Sequence, residues 1–267
     1  MLNFARRLLY RLRNRLISYS EISEDEIFVE LNNGLKFYGP REDGVSKIPP
    51  YLQLAAGELG LADKRFLSFI CVLMEIFYFD IYERFYRIRK SDVIVDAGAF
   101  VGMFAVKAAK KVGSKGKVIA IEPEKENLRF LKKNIEENKL ENVIVIEKGL
   151  WSRKEKRKLY LGYRSSASLV YPSKKFIEVE VDALDSIISE LNLENVDFIK
   201  MDVEGAEIEA LKGASKILNR KLNLAIAAYH KINGEPTYKQ IVPFLEKMNF
   251  TVRRTGGIVY ASKNKKY

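Results

Sequence analysis

A single cysteine, Cys71, and a single histidine, His230, stand in a chain of 267 residues. One cysteine cannot close an internal disulfide, and the two residues together cannot build a Cys/His zinc site. Disulfide scaffolds and zinc-finger folds are therefore excluded, and a reducing, cytoplasmic setting is expected. Long apolar runs are missing too. The longest reaches from Phe66 to Met74 before Glu75 interrupts it, against the roughly 18–20 residues of a spanning helix. No signal-peptide pattern follows Met1, so no segment is expected to enter or cross a bilayer. Glutamine occurs only at Gln53 and Gln240 while Lys and Glu are abundant, a balance associated with heat tolerance. No fixed-period repeat is found.

What is present is a globular composition, 47% hydrophobic and 30% charged, with a formal net charge of +11. The length suits one large domain or a domain with an appendage, and either can bury a self-sufficient core. Arg6, Arg7, Arg11, Arg13 and Arg15 at one end, and Arg253, Arg254, Lys263, Lys265 and Lys266 at the other, hold ten of the eleven surplus charges. The body between is close to neutral, which argues against a face that tracks phosphates, and no nucleic-acid partner is expected. Leu2, Ala5, Leu9, Leu12 and Leu16 fall at helical spacing opposite most of the first arginines, so residues 1–17 read as a basic amphipathic helix. Such a helix either lies on an anionic membrane surface or docks on its own domain or a second copy.

Three regions follow from texture. Residues 1–50 combine that helix with a β-hairpin, Ile27–Leu31 and Leu35–Tyr38, turning at Asn33-Gly34. Residues 51–90, rich in Leu, Phe, Tyr and Ile, read as two covering helices. Residues 91–267 alternate short β-branched runs with charged helical stretches, the pattern of a parallel sheet wrapped by helices. Strands are expected at 93–96, 117–121, 143–146, 196–201 and 223–229, helices at 101–112, 124–138, 204–218 and 236–248, with Pro243 bending the last. A closing antiparallel hairpin pairs Phe250–Arg254 with Ile258–Ser262. Near 152–182 a β insertion, Lys158–Tyr163 and Phe176–Val181, replaces a helix.

The first strand runs into its helix through VIVDAGAFVG, residues 93–102. Ligands of open α/β sheets bind at such strand ends. A dinucleotide fingerprint would need glycine at positions 100 and 103, where Phe100 and Met103 stand; a P-loop fails for want of Gly-Lys-Ser/Thr. An acid followed by Gly-x-x-x-Gly instead suits a ligand without a diphosphate, Asp96 meeting its ammonium group directly or through water. Glu122, at the next strand end, can accept hydrogen bonds from both hydroxyls of a ribose. Ribose plus amino acid without diphosphate describes S-adenosylmethionine.

Three segments, VIVDAGAFVG from 93, VIAIEP from 118 and VDFIKMDVEGAEIEALKGA from 196, resemble the FkbM-type S-adenosylmethionine-dependent methyltransferases. The likeness spans roughly residues 80–262. It implies the class I methyltransferase (Rossmann-like) fold, a seven-stranded mixed sheet with helices on both faces, here with a small N-terminal helix and hairpin extension. It also implies cofactor-binding roles for Asp96, Gly98, Gly102 and Glu122, with Ala99 in the same turn. At the third strand, where an Asp of the class often reads adenine, this chain has Glu147-Lys148-Gly149, so adenine recognition is expected from Glu147 or from backbone at Gly149. Trp151 packs either on adenine or in the core.

For methyl transfer to a hydroxyl, the enzyme supplies alignment and a base. Asp202 at the fourth strand end is the first candidate, with Glu204 and His230 behind it; the competing readings are helix caps and a structural histidine. Ser165, Ser166 and Ser168 on the insertion either contact the acceptor or form a polar loop. The carboxylates could hold a hard cation, but no spacing demands one and no metal site is predicted. The expected function is O-methylation of a sugar, glycolipid or small-metabolite hydroxyl. A catalytically silent binding or membrane-associated protein of the same fold is the alternative, and a nucleic-acid methyltransferase is the weaker one.

Overall fold

The computed structural model describes residues 16–23, 26–40, 64–162 and 167–263. The amphipathic helix expected over 1–17 falls outside them apart from its last two residues, as do Ser165 and Ser166.

In chain order the elements begin with three strands, β1 (Ile17–Ile22), β2 (Glu26–Leu31) and β3 (Lys36–Pro40). Helix α1 (Lys64–Phe77) leads through turns to β4 (Val93–Ala97), α2 (Met103–Val112), β5 (Lys117–Ile121), α3 (Lys125–Glu137) and β6 (Val143–Ile146). The inserted β7 (Gly149–Leu150), β8 (Glu155–Tyr160) and β9 (Phe176–Asp182) precede α4 (Leu184–Glu190) and β10 (Phe198–Met201). Then come α5 (Glu207–Lys212), β11 (Asn223–Ala227), the two-residue pair β12 (Lys231–Ile232) and β13 (Glu235–Pro236), α6 (Tyr238–Lys247), β14 (Thr251–Thr255) and β15 (Ile258–Ser262).

The main sheet has seven strands in the order β14-β15-β11-β10-β4-β5-β6. The five from β11 to β6 are parallel, while β15 and β14 join antiparallel. This is the class I methyltransferase (Rossmann-like) arrangement. The central strands are apolar on both sides because helices cover both faces. Alternate residues face opposite ways: Ile94, Val118, Ala120 and Phe198 join the core under α1 and α2, whereas Val95, Ile119, Ile199 and Met201 join the core under α4, α5 and α6.

The N-terminal sheet is built into the first of these cores. Ile27, Val29 and Phe37 are fully buried there. Asn134 on α3 and Asn138 at its C-cap each clamp the backbone of β3: the Asn134 side chain exchanges hydrogen bonds with Tyr38 N–H (2.6 Å) and C=O (2.8 Å), and Asn138 does the same with Lys36 (3.0 and 2.6 Å). Two amides thus satisfy a strand edge that would otherwise invite pairing.

Differences from the sequence reading are local. The helix expected over 204–218 shortens to Glu207–Lys212 plus a single 3₁₀ turn, Ile217–Asn219. Its start is delayed because Glu204 (φ 49°) and Gly205 (φ 97°) are left-handed. Helix α4 was not expected; Asp185 in its first turn accepts the backbone N–H groups of Lys216 (2.7 Å) and Ile217 (3.0 Å), a long-range tie with no local signature.

Candidate active site

The chain leaves β4 for β5 and β6 on one side and returns to β10 and β11 on the other. A crevice therefore opens at the carboxyl ends of β4 and β10, where the direction of winding reverses. The turn from Gly98 to Gly102 sits in it. Gly98 has φ 75°, and a Cβ there would lie 1.8 Å from the carbonyl oxygen of Asp202, so only glycine lets the turn rest against the end of β10. Phe100 is also left-handed (φ 53°). That conformation aims its N–H at Oε2 of Glu122, 2.9 Å away.

Glu122 is buried on the cavity wall. Besides Phe100, it accepts from the Glu124 N–H (3.1 Å) and the Asn127 amide (3.2 Å), both at Oε1. Three donors fill three of a carboxylate's roughly four acceptor positions, leaving one on Oε2 for a ligand hydroxyl. Burial pushes its carboxyl up to about 7, against the pull of the donors. Ala99, Gly149 and Lys148 share the cavity lining with Pro123, Leu150 and Leu169. Glu147 does not: it is exposed and paired with Lys132 at 2.5 Å. Backbone around Lys148-Gly149 and an apolar slot are therefore what this strand end offers a purine. Trp151 stacks under the Arg157 guanidinium at 3.8 Å instead of lining the cavity.

Asp96 is fully buried. Its Oδ1 lies 2.9 Å from Lys200 Nζ, which also donates to the Gly98 carbonyl at 2.6 Å. Burial raises the Asp96 pKa, with Lys200 opposing the rise. The charge expected to meet a ligand's ammonium group is thus met inside the protein, and the pair locks β4, β10 and the glycine turn together. Gly102 (φ 84°) caps α2 and is pressed by Leu131 of α3, whose Cδ1 would be 2.4 Å from an added Cβ.

The three candidate residues Asp202, Glu204 and His230 come together, and Glu207 joins them. His230 is buried, with Nδ1 2.9 Å from Glu207 Oε1 and Nε2 3.2 Å from Glu204 Oε2 and 3.6 Å from Asp202 Oδ1. The left-handed pair Glu204-Gly205 makes this possible by folding the segment back so that both glutamates reach one imidazole. A Cβ at Gly205 would meet the Tyr171 hydroxyl oxygen at 2.9 Å. Burial alone would push the His230 pKa down, but the carboxylates of Glu204 and Glu207, with the charge of Asp202, raise it to about 10. The Tyr82 hydroxyl donates to Asp202 Oδ2 at 3.0 Å. Ser168 reaches over from the insertion, donating to the Glu204 carbonyl at 2.6 Å and accepting the N–H groups of Val170 and Tyr171; it pins the motif and is not on the cavity wall. One oxygen or nitrogen from each of Asp202, Glu204 and His230 lies within 4.8 Å of the others, a spacing that can hold a metal ion.

The sequence reading missed four participants. Lys200 carried a signal, since a lysine inside an otherwise buried strand needs a partner. Glu207 repeats the acid of Glu204 three residues on. Tyr82 and Tyr229, which also line the cavity, had none.

The FkbM methyltransferase domain model matches residues 96–252, a span that takes in the glycine turn, Glu122 and the whole Asp202–His230 cluster. The chain belongs to that family. An alignment of 157 residues is 29% identical to methyltransferase sdnD of Sordaria araneosa, covering 46% of this chain and 60% of that one. A shorter stretch of 53 residues is 47% identical to a protein of Sulfurisphaera tokodaii named "Probable cobalt-precorrin-6B C(15)-methyltransferase (decarboxylating)", covering 20% of this chain and 28% of that one. The FkbM chain thus spans less than two thirds of either relative. Among solved structures, a precorrin-6y C5,15-methyltransferase from Geobacter metallireducens superimposes with a TM-score of 0.43 at 17% identity, over 66% of this chain and 83% of that one.

Proposed function

We propose that this FkbM protein methylates a hydroxyl oxygen of a sugar, glycolipid or small metabolite. The cofactor is S-adenosylmethionine. The residues present fit it: a glycine turn that a Cβ would fill, an unfilled acceptor position on Glu122 for a ribose hydroxyl, an apolar slot beside Gly149, and a net-negative wall suited to a sulfonium. When bound, it supplies an electrophilic methyl group, the C–S bond breaking with its electron pair left on sulfur as the new O–C bond forms. The chain's own contribution is to hold the acceptor in line and to take its proton.

The observation that carries the reading is that Asp202 lines the same cavity as Glu122, its carboxylate held by Tyr82. Asp202 orients the acceptor hydroxyl and receives its proton. Cys71, Val72 and Ile76 of α1, with Glu75 among them, line another side of the same cavity, and its apolar part suits an acceptor with a hydrophobic flank such as a glycolipid. Three carboxylates at the acceptor end disfavour a polyanion, so nucleic acid is the poorer candidate. No helix among the described residues is long and apolar enough to cross a membrane; peripheral contact through residues 1–17, in a cytoplasmic protein, remains part of the proposal.

The test is methyl transfer from labelled cofactor to a panel of glycosides and amphipathic alcohols, with Asp202→Asn beside the wild type. Label on oxygen that falls at least a hundredfold in the variant supports the reading. Label on carbon or nitrogen, or an unaffected variant, refutes it.

A further inference from the structure

We propose that Asp202, Glu204 and His230 bind one divalent transition-metal ion, with Glu207 holding the imidazole from behind. This deepens the methyl-transfer reading and rests on it only for the use of the ion, which would sit at the acceptor end of the cavity.

The argument starts from the histidine. Its Nδ1 faces Glu207, fully buried, at 2.9 Å, so the other nitrogen is the one turned toward the cavity side. A carboxylate behind the ring, fixing its orientation, is the usual support of a metal-bound histidine. On the other side, Nε2 has Glu204 Oε2 at 3.2 Å and Asp202 Oδ1 at 3.6 Å. Adjacent ligands of a six-coordinate ion with bonds of about 2.1 Å stand roughly 3.0 Å apart, so small side-chain adjustments bring all three into range. Neither ring nitrogen makes a well-angled hydrogen bond among the described residues, and Asp202 Oδ1 is buried with no hydrogen-bond partner there. Tyr82 occupies only Oδ2 of the same carboxylate. A buried imidazole nitrogen and a buried carboxylate oxygen converge on one point without a proper partner.

Charge gives a second, independent reason. Three carboxylates surround one imidazole, and the lysine on the cavity wall nearest in sequence, Lys200, is committed to Asp96. Even with His230 protonated the group carries two negative charges in a half-buried setting, where unbalanced charge is costly. A dication taking the place of the Nε2 proton cuts that charge from two to one. One nitrogen with two oxygens selects a first-row metal over calcium, which takes oxygen ligands alone, and over magnesium, which keeps its waters. Three protein ligands leave open positions toward the cavity, where an acceptor hydroxyl would bind and lose its proton more readily.

The experiment uses the full chain, stripped with chelator, desalted and titrated with Mn²⁺ while the free-ion electron paramagnetic resonance signal is recorded. One ion bound per chain is expected, with equimolar Mg²⁺ or Ca²⁺ failing to displace it. Electron spin-echo modulation from a directly bonded ¹⁴N is expected in the wild type, a reading that needs no variant. Glu207→Gln should weaken Mn²⁺ binding 10–100-fold and His230→Ala should abolish it, each variant being confirmed as folded by cofactor calorimetry. No loss of free Mn²⁺ signal at millimolar protein, no nitrogen modulation, or undiminished binding in His230→Ala overturns the proposal. If cofactor binds and Mn²⁺ does not, the metal site alone fails; if Mn²⁺ binds and the cofactor does not, the methyl-transfer reading fails.

Discussion

Replacing Glu122 by Gln tests whether that side chain works as a carboxylate toward ribose. In the folded protein, burial lifts its carboxyl from the ordinary 4.5 to about 7. Two consequences follow, with opposite signs. The raised value means that the folded state holds the proton more tightly than the unfolded chain. The stability this contributes is therefore complete below pH 4.5 and lost as pH rises through 7, a change of about 3 kcal/mol. Cofactor affinity runs the other way, because only the ionised form can accept freely from a hydroxyl. At pH 6 about a tenth of the sites are ionised and at pH 8 about nine tenths, so affinity should rise roughly tenfold between them. The glutamine variant cannot ionise, and its amide nitrogen would face donors from Phe100 on one side or Glu124 and Asn127 on the other. Its affinity should fall by about 1–3 kcal/mol and lose the part of the pH dependence due to this group, and its urea-unfolding free energy should decline between pH 4.5 and 7 by about 3 kcal/mol less than that of the wild type. Calorimetric titrations of both proteins at pH 6, 7 and 8 provide the comparison, since titration of the cofactor's own amine is common to both. Parallel profiles would refute the reasoning.

Gly98→Ala should destabilise the fold by about 2–5 kcal/mol in urea unfolding, the sum of a left-handed penalty and a clash with the Asp202 carbonyl; a loss under 1 kcal/mol would mean the turn is not pressed on β10. Lys200→Met should cost about 3–5 kcal/mol because it strands the buried Asp96 charge. The double variant Lys200→Met, Asp96→Asn should recover most of that, and a purely additive result would remove the pair from the account. Asp202→Asn should leave cofactor affinity within twofold while lowering turnover by about 10²–10⁴, and loss of cofactor binding would relocate that residue to the wrong side of the cavity.

Much of the architecture was legible because it follows from local chemistry. Runs such as Val93–Val95, Val118–Ile121 and Val143–Ile146 are β-branched, short and flanked by charged helical stretches, and all lie in the seven-stranded sheet where the alternation placed them. The fold class, the glycine turn and Glu122 could be read for the same reason: strand, turn and next strand end are close in sequence. What escaped depends on distant neighbours. Nothing near Asp96 tells that Lys200, 104 residues on, will neutralise it. The left-handed Glu204 hides in a sequence that reads as a helix start, and its conformation is sustained by Ser168 from the insertion and by Glu207 and His230. Tyr82 reaches Asp202 from an irregular segment 120 residues earlier. Glu147 and Lys148 look equally available in the sequence; Lys132 draws the first outward, while Asp182 holds the second at 2.9 Å beside the cavity.

The central claim is that the crevice between β4 and β10 holds an adenosyl sulfonium with its reactive end toward Asp202. A crystal structure with the demethylated cofactor tests it most directly. The account predicts the ribose within hydrogen-bond distance of Glu122, the purine between Pro123 and Gly149, and the sulfur facing the Asp202–His230 cluster. A nucleoside bound elsewhere, or bound here with its sulfur turned away from Asp202, would contradict it.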